Sequence, residues 1–187
     1  MSLASFWLPI VLSGVFVFIA SALINMLFKF WHAPDYHGFS NEDEIAAAMR
    51  KGGAAPGAYA IPYCKSMEAL KDPALQEKFK QGPVANINIR ASGQMNMGTF
   101  LGVWFLFCLL VSLACAGLAG HALPAQPGRH LVFHTVGLAA LLGYSFGEIP
   151  NAIWRGQPLT VSVKYFIDGI IYAVITAAMF CWLWPAA

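Results

Sequence analysis

Residues 147–168 read GEIPNAIWRGQPLTVSVKYFID, and they join two long apolar segments of the chain. Pro150, Gly156 and Pro158 disfavour a continuous helix here, because proline lacks a backbone N–H group and glycine loses the most backbone entropy in a helix. The stretch therefore predicts a structured turn between two helices. The two apolar segments and the turn between them therefore form a predicted helical hairpin, which is the reference for the rest of the chain.

The composition indicates a membrane protein. Of 187 residues, 58% are hydrophobic and only 11% are charged, whereas a soluble domain is about 25% charged. The mean hydropathy is +0.61, and the 14% aromatic content fits the belts of Trp and Tyr found at membrane surfaces. Binding of nucleic acid is not expected, because no cluster of Lys and Arg lies beside stacking aromatic residues.

Four apolar segments are long enough to cross the roughly 30 Å hydrocarbon core of a bilayer. They cover residues 3–28, 98–120, 131–149 and 161–184, the last three forming a transmembrane region at 98–187. No Lys or Arg precedes the first segment, so we expect a retained span within residues 1–32 rather than a cleaved signal. The predicted fold is an all-α integral membrane protein, a four-helix bundle with a small α+β cytoplasmic insert between its first and second helices.

The polar middle of the chain, residues 33–97, alternates helical and extended patterns. A capping-box pattern begins at Ser40, and Asp72 with Pro73 forms an N-cap followed by a proline at the first helical position. The predicted elements are a helix at 40–51, a strand at 57–62, a helix at 73–81 and a strand at 84–90. A lone two-stranded hairpin is marginally stable, so we expect this insert to lean on the membrane bundle.

Positive charge predicts the orientation of the chain. Of its eleven Lys and Arg residues, ten fall at the end of the first span, in the polar middle or around the 147–168 turn, and only Arg129 lies on the other side. Cytoplasmic loops carry the excess of Lys and Arg. We therefore expect both termini outside, and the insert and the turn in the cytoplasm.

The turn also predicts a buried polar cluster of Glu148, Arg155, Lys164 and Asp168. Asp168 falls about seven residues into the fourth span, roughly 10 Å deep, where an ionised carboxylate needs a partner or water. One interpretation is a structural clamp on the hairpin. The alternatives are a proton or ion pathway and a site for a lipid headgroup.

Small residues predict close helix packing. Gly98 with Gly102, and Gly143 with Gly147, form G-x-x-x-G pairs, and Gly169 begins a similar run in the fourth span. Such stripes let helix backbones approach closely in lipid. Packing within one chain is the main expectation, and a homodimer face is the alternative.

Three histidines, His121, His130 and His134, are predicted on the outer side. His130 and His134 are four apart on one helix, so their rings can face one ligand. Three imidazoles could hold copper, zinc or haem, but no carboxylate or cysteine joins them in the sequence. Interfacial, hydrogen-bonded histidines are the main expectation, and no metal or other cofactor is predicted.

The blocks GEIPNAIWRGQP at 147–158, KYFIDGIIY at 164–172 and WLWP at 182–185 carry a resemblance to a known family. They resemble small, uncharacterised bacterial inner-membrane proteins with four spans. The similarity covers the third and fourth spans, about a third of the chain. It implies a location in the bacterial inner membrane, and it implies no activity or site residue.

No nucleophile–base pair is visible in the sequence, and the predicted topology separates His130 and His134 from Asp168, so we expect a protein that is not an enzyme. The leading hypothesis is an accessory or assembly subunit of a larger membrane complex, because the helix faces and the insert could both dock a partner. The first alternative is a small transporter or channel that uses Glu148 and Asp168. The second is a metal or haem protein that uses the outer histidines. Expected partners are membrane lipid and other membrane subunits or further copies of the chain.

Overall fold

The computed structural model describes residues 2–185, most of which are helical. The helices are α1 (Trp7–Ala22), α2 (Lys29–His32), α3 (Glu42–Lys51), α4 (Pro73–Gln81), α5 (Met97–Ala122), α6 (Arg129–Ser145), α7 (Glu148–Trp154) and α8 (Leu159–Trp182), and the strands are β1 (Gly57–Ile61) and β2 (Ala85–Ile89). A 3-10 turn, Leu3–Phe6, precedes α1, and a π-helical turn, Leu23–Leu27, follows it.

Four helical segments are long and apolar enough to cross a membrane. They are Leu3–Leu27, Met97–Ala122, Arg129–Trp154 and Leu159–Trp182. The predictions of a mostly helical chain, four such segments and a small two-stranded element are therefore confirmed. The third segment combines α6 with α7.

The four long helices form a bundle in which α1 and α6 each pack against both α5 and α8. Fully buried Phe6, Val136 and Phe180 belong to its main core. At one end, the Phe6 and Trp184 rings lie 5.1 Å apart, and the Trp184 indole donates to the Ala125 carbonyl at 3.4 Å. This end therefore gathers the start of α1, the α5–α6 connection and the end of α8.

Some of the predicted glycines do bring helices together. A Cβ on Gly169 would lie 2.0 Å from Ser145 Oγ, and one on Gly143 would lie 3.1 Å from Val111 Cγ1. Only glycine fits at Gly169 unless α6 and α8 separate. A Cβ on Gly102 or Gly147 would meet no atom within 4 Å, so these two residues do not mediate helix packing among residues 2–185.

The 147–168 turn contains more helix than the sequence suggests. Glu148 to Trp154 form α7, and Pro150 is the third residue of this helix. Proline is tolerated there because the N–H groups of the first turn have no intrahelical partner. The chain then reverses at Gly156, whose φ of 68° favours glycine.

The insert, residues 37–95, is a separate compact unit. Its two strands pair antiparallel, with Gly57 opposite Ile89, and the Asp72 carboxylate caps α4 by accepting from the Ala74 amide at 2.9 Å. The predicted capping box at Ser40 is wrong, because α3 begins after Asn41 and has no side-chain cap. Every residue of this unit is exposed or only half-buried.

Candidate functional site

The end of the first span turns the chain towards α8. The π-helical turn ends at Phe28, whose φ and ψ of −86° and 58° break the helix before α2 begins. The short helix α2 then directs Trp31 and His32 at the first half of α8. A 3-10 turn, Ala33–Asp35, follows directly and adds Asp35 to the same cluster.

Asp168 of α8 is the centre of this cluster. Its side chain is almost fully buried, and the Trp31 indole donates to Oδ1 at 2.9 Å. His32 Nε2 lies 2.6 Å from Oδ2. Both carboxylate oxygens are therefore satisfied by the end of the first span, which offsets the cost of burying this acid.

His32 links Asp168 to a second carboxylate. Its Nδ1 lies 2.9 Å from Asp35 Oδ2, and its ring stacks on Tyr165 at 4.5 Å between centroids. The Lys164 ammonium donates to the other oxygen of Asp35 and to the Trp31 carbonyl. The side chains of His32 and both acids are less than a tenth exposed.

The hydrogen bonds of His32 constrain its protons. A neutral imidazole has one N–H donor, whereas an ionised carboxylate only accepts. Because both ring nitrogens face carboxylates, two good hydrogen bonds require either a doubly protonated ring or a proton on one acid. With His32 doubly protonated, it and Lys164 balance the charges of Asp35 and Asp168.

Asp35 also responds electrostatically to this arrangement. Hydrogen bonds from Lys164 and then His32 lower the pKa of the Asp35 carboxyl below its usual value, because both donors favour the ionised form. Asp35 is therefore the ionised carboxylate of the cluster, and Lys164 is its cationic partner.

A cavity of about 570 Å³ lies beside the cluster, within the bundle. Its lining is mostly apolar, and α1, α5, α6 and α8 all contribute to it. Glu148, Tyr165 and Asp168 line the cavity together with Phe100, near the start of α5. The cavity is therefore at the end of the bundle where the first span ends and α8 begins.

Aromatic rings from three helices form much of the cavity wall. Trp104 and Phe107 come from α5, Tyr144 from α6 and Tyr172 from α8. Tyr144 and Tyr172 meet edge to face at 5.5 Å, and Trp104 meets Tyr172 at 6.1 Å. The Trp104 indole donates to Ser21 Oγ at 2.8 Å, so its ring is held in place.

Glu148 differs from Asp168 in its partners. The Gln157 amide donates to Glu148 Oε2 at 2.9 Å and to Ser162 Oγ at 2.9 Å. Within residues 2–185, Glu148 forms no ion pair. It is therefore a carboxylate on the cavity wall that is bonded to a neutral amide and has no cation beside it.

The structure divides the predicted cluster of Glu148, Arg155, Lys164 and Asp168. Glu148 and Asp168 share the cavity, whereas Lys164 bonds to Asp35 and no ion pair of Arg155 occurs in the part of the chain described. His32 and Asp35 were missed as partners. The only sequence signal for them is the run KFWHAPD at 29–35, which places ionisable groups directly after the first span.

The outer histidines form a pair rather than a trio. The Nε2 atoms of His130 and His134 lie 2.9 Å apart, while His121 Nδ1 lies 2.7 Å from the Gly117 carbonyl. No group of three or more possible metal ligands occurs among residues 2–185. The geometry thus matches hydrogen-bonded histidines at the end of the bundle opposite the cavity.

No family model, curated protein or solved structure matches the chain.

Proposed function

We propose that this protein is a small membrane transporter that binds an amphiphilic molecule between its helices, at the cavity lined by Glu148 and Asp168. The observation that carries the proposal is the cavity itself. Its volume of about 570 Å³ lies within the roughly 300–1,000 Å³ of small-molecule sites, which are mostly apolar with a few placed polar groups. Transport rather than catalysis is part of the proposal.

The polar cluster supports this role. Ionisable groups inside membrane segments are costly, and they commonly mark substrate or proton pathways. Asp168 belongs to both the cavity wall and the His32 network. A bound molecule would therefore meet a carboxylate that is connected through His32 to Asp35, in the 3-10 turn that follows the first span.

The membrane context belongs to the same proposal. We place the protein in a bacterial inner membrane, with both termini outside and residues 33–97 in the cytoplasm. The bias of Lys and Arg supports this orientation. The structure of the bundle is compatible with it, since the end of the first span and the start of α8 meet through Trp31, His32 and Asp168.

A pair of glycine substitutions tests whether the cavity binds ligands. Gly147 lines the cavity, and a Cβ there would meet no atom within 4 Å, so Gly147→Leu is the variant chosen to place apolar volume in the cavity. Gly102 has similar open space but does not line the cavity, so Gly102→Leu is the matched control. The purified protein would be screened by thermal shift against neutral, cationic and anionic amphiphiles.

We expect some amphiphiles to stabilise the wild type and Gly102→Leu, because a ligand that binds only the folded state raises its stability. Gly147→Leu should lose this response, while its unfolding temperature without ligand should stay close to that of the wild type. An equal response in all three proteins would place binding elsewhere, and no response in any of them would reject the proposed function. A stabilising compound would then be tested for uptake into vesicles.

A second candidate function is the accessory subunit of a membrane complex. The observation that favours it is the insert, which has no buried side chain in residues 37–95 and exposes large apolar residues such as Phe39, Tyr63 and Met67. Native purification in mild detergent with mass spectrometry tests this role. A stoichiometric partner protein would support it, and an isolated chain or homo-oligomer would count against it.

A further inference from the structure

We infer that the cavity selects an amphiphilic organic cation, with Glu148 as its counter-charge and the aromatic wall as its contact surface. The inference rests on the proposed function and specifies the class of molecule that is bound. It follows from three observations: the signs of charge around the cavity, the partners of the two acids and the placement of the rings.

The charges that line the cavity are of one sign. Glu148 and Asp168 contribute carboxylates, and no Lys, Arg or His is among the lining residues described. Low-dielectric walls strengthen the interaction between such a carboxylate and a charged ligand. An anion would therefore be repelled from this cavity, and a cation would be attracted.

The two acids are not equivalent. Both oxygens of Asp168 already have hydrogen-bond partners, the Trp31 indole at Oδ1 and His32 at Oδ2. Glu148 accepts only from the neutral amide of Gln157, at Oε2, among the contacts of residues 2–185. Among the hydrogen bonds of residues 2–185, Glu148 is therefore the acid on the cavity wall that has an oxygen left for a ligand.

The aromatic wall suits the rest of such a molecule. Trp104, Phe107, Tyr144 and Tyr172 surround the space from three helices. Aromatic faces attract cations, Trp most strongly, and this attraction grows when the site excludes water. The same rings bury the apolar groups of an organic cation, which a small hydrated metal ion lacks.

A pair of probes that differ in the sign of charge tests the inference. Tetraphenylphosphonium and tetraphenylborate have similar shape and apolar surface but opposite charge. Their binding to the full chain would be measured in one detergent by equilibrium dialysis. We expect saturable binding of the cation and at least about tenfold weaker binding of the anion, the difference expected from a single unscreened charge nearby.

Substitution of Glu148 then tests whether its carboxylate is the counter-charge of the bound cation. Glu148→Gln keeps the size and the contact with Gln157, and it should weaken binding of the cation about tenfold or more. Glu148→Asp should retain the preference for the cation. The matched control is Glu77→Gln, because Glu77 in α4 also accepts from a glutamine amide, that of Gln81, and it does not line the cavity. This control should bind like the wild type.

The outcomes separate the inference from the function on which it rests. Equal binding of both probes by the wild type overturns cation selectivity, and unchanged cation binding by Glu148→Gln overturns the assignment of Glu148 as the counter-charge. If neutral amphiphiles still stabilise the wild type but not Gly147→Leu, the cavity remains a binding site and only the cation assignment fails. If Glu148→Gln does not fold, the comparison of the two probes on the wild type decides alone.

Discussion

At the scale of single residues, His32 holds two buried carboxylates together. We expect His32→Ala to lower the free energy of unfolding by about 3 kcal/mol, because it leaves the charge of the buried Asp168 carboxylate without its partner at Oδ2. Adding Asp168→Asn should recover part of this loss by removing that charge. The free energies of unfolding of His32→Ala and of the double variant would be measured in mixed detergent micelles and compared with that of the wild type.

A simple sum of the two single effects in the His32→Ala, Asp168→Asn double variant would contradict this account. It would mean that the two side chains stabilise the bundle independently. The Asp168→Asn single variant completes the cycle. The expected pattern is a double variant that is more stable than His32→Ala alone.

Asp35 predicts a specific dependence of stability on pH. Lys164 lowers the pKa of Asp35 in the folded protein, so the contribution of this group is fully present above the ordinary carboxyl pKa of about 4. The contribution is lost as the pH falls below that value and through the lower folded pKa. Asp35→Asn lacks this contribution at every pH.

We therefore expect the difference in stability between the wild type and Asp35→Asn to shrink as the pH falls below about 4. Unfolding midpoints of the two proteins, measured at a series of pH values on both sides of pH 4, show whether the difference shrinks on acidification. Comparing the two proteins at each pH removes the effect of other carboxyl groups. A difference that grows on acidification would show that Asp35 is not held in its ionised form.

The residues of the site were only partly predictable from the sequence. Asp168 was identified because an acid inside an apolar span needs a partner. Its actual partners, Trp31 and His32, are more than 130 positions away in the chain. Which side chains meet it depends on the packing of α1 against α8, and helical periodicity within one segment carries no information about that packing.

At the scale of elements, the contact between α6 and α8 depends on Gly169. We expect Gly169→Ala to destabilise the bundle by about 1–3 kcal/mol, the usual cost of overpacking, since its Cβ would overlap Ser145 Oγ and crowd the Ser145 Cα at 3.2 Å. Gly102→Ala in α5 is the control, because open space surrounds that position. It should have no cost or a small gain in stability.

Thermal unfolding of the two variants under identical detergent conditions makes this comparison. Equal stability would show that α6 can shift away from α8 at little cost. A loss at Gly102→Ala instead would indicate that this face of α5 packs against another molecule. The second result would favour the homodimer face predicted from the G-x-x-x-G pair.

The presence of the helices was more predictable from the sequence than the residues at which they begin and end. Length and hydropathy located the four apolar helices, and the Asp72–Pro73 signal located the start of α4. The helix α7 was missed, because Pro150 indicates a break unless one knows that it lies in a first turn. The π-helical turn after α1 was missed as well, since its residues read as a plain continuation of an apolar helix.

At the scale of the whole molecule, the orientation in the membrane is the main prediction still to be tested. A reporter that is active only outside the cytoplasm should be active when fused after the fourth span and inactive when inserted at Gly53. Gly53 lies two residues after the end of α3, in an exposed turn, and has a φ of 70°. The reverse pattern of activity would invert the topology and with it the side from which the cavity is reached.

Asp168 belongs both to the cavity wall and to the contact between α1 and α8. A ligand that changes the bonds of Asp168 to Trp31 or His32 would link occupancy of the cavity to the docking of the amino-terminal helix, and linkage is reciprocal. Such a ligand would shift the equilibrium by which the amino-terminal helix docks against α8. A substitution that weakens this docking would change the affinity for the ligand by the same factor. The amino-terminal helix would then act as a sensor of whether the site is filled.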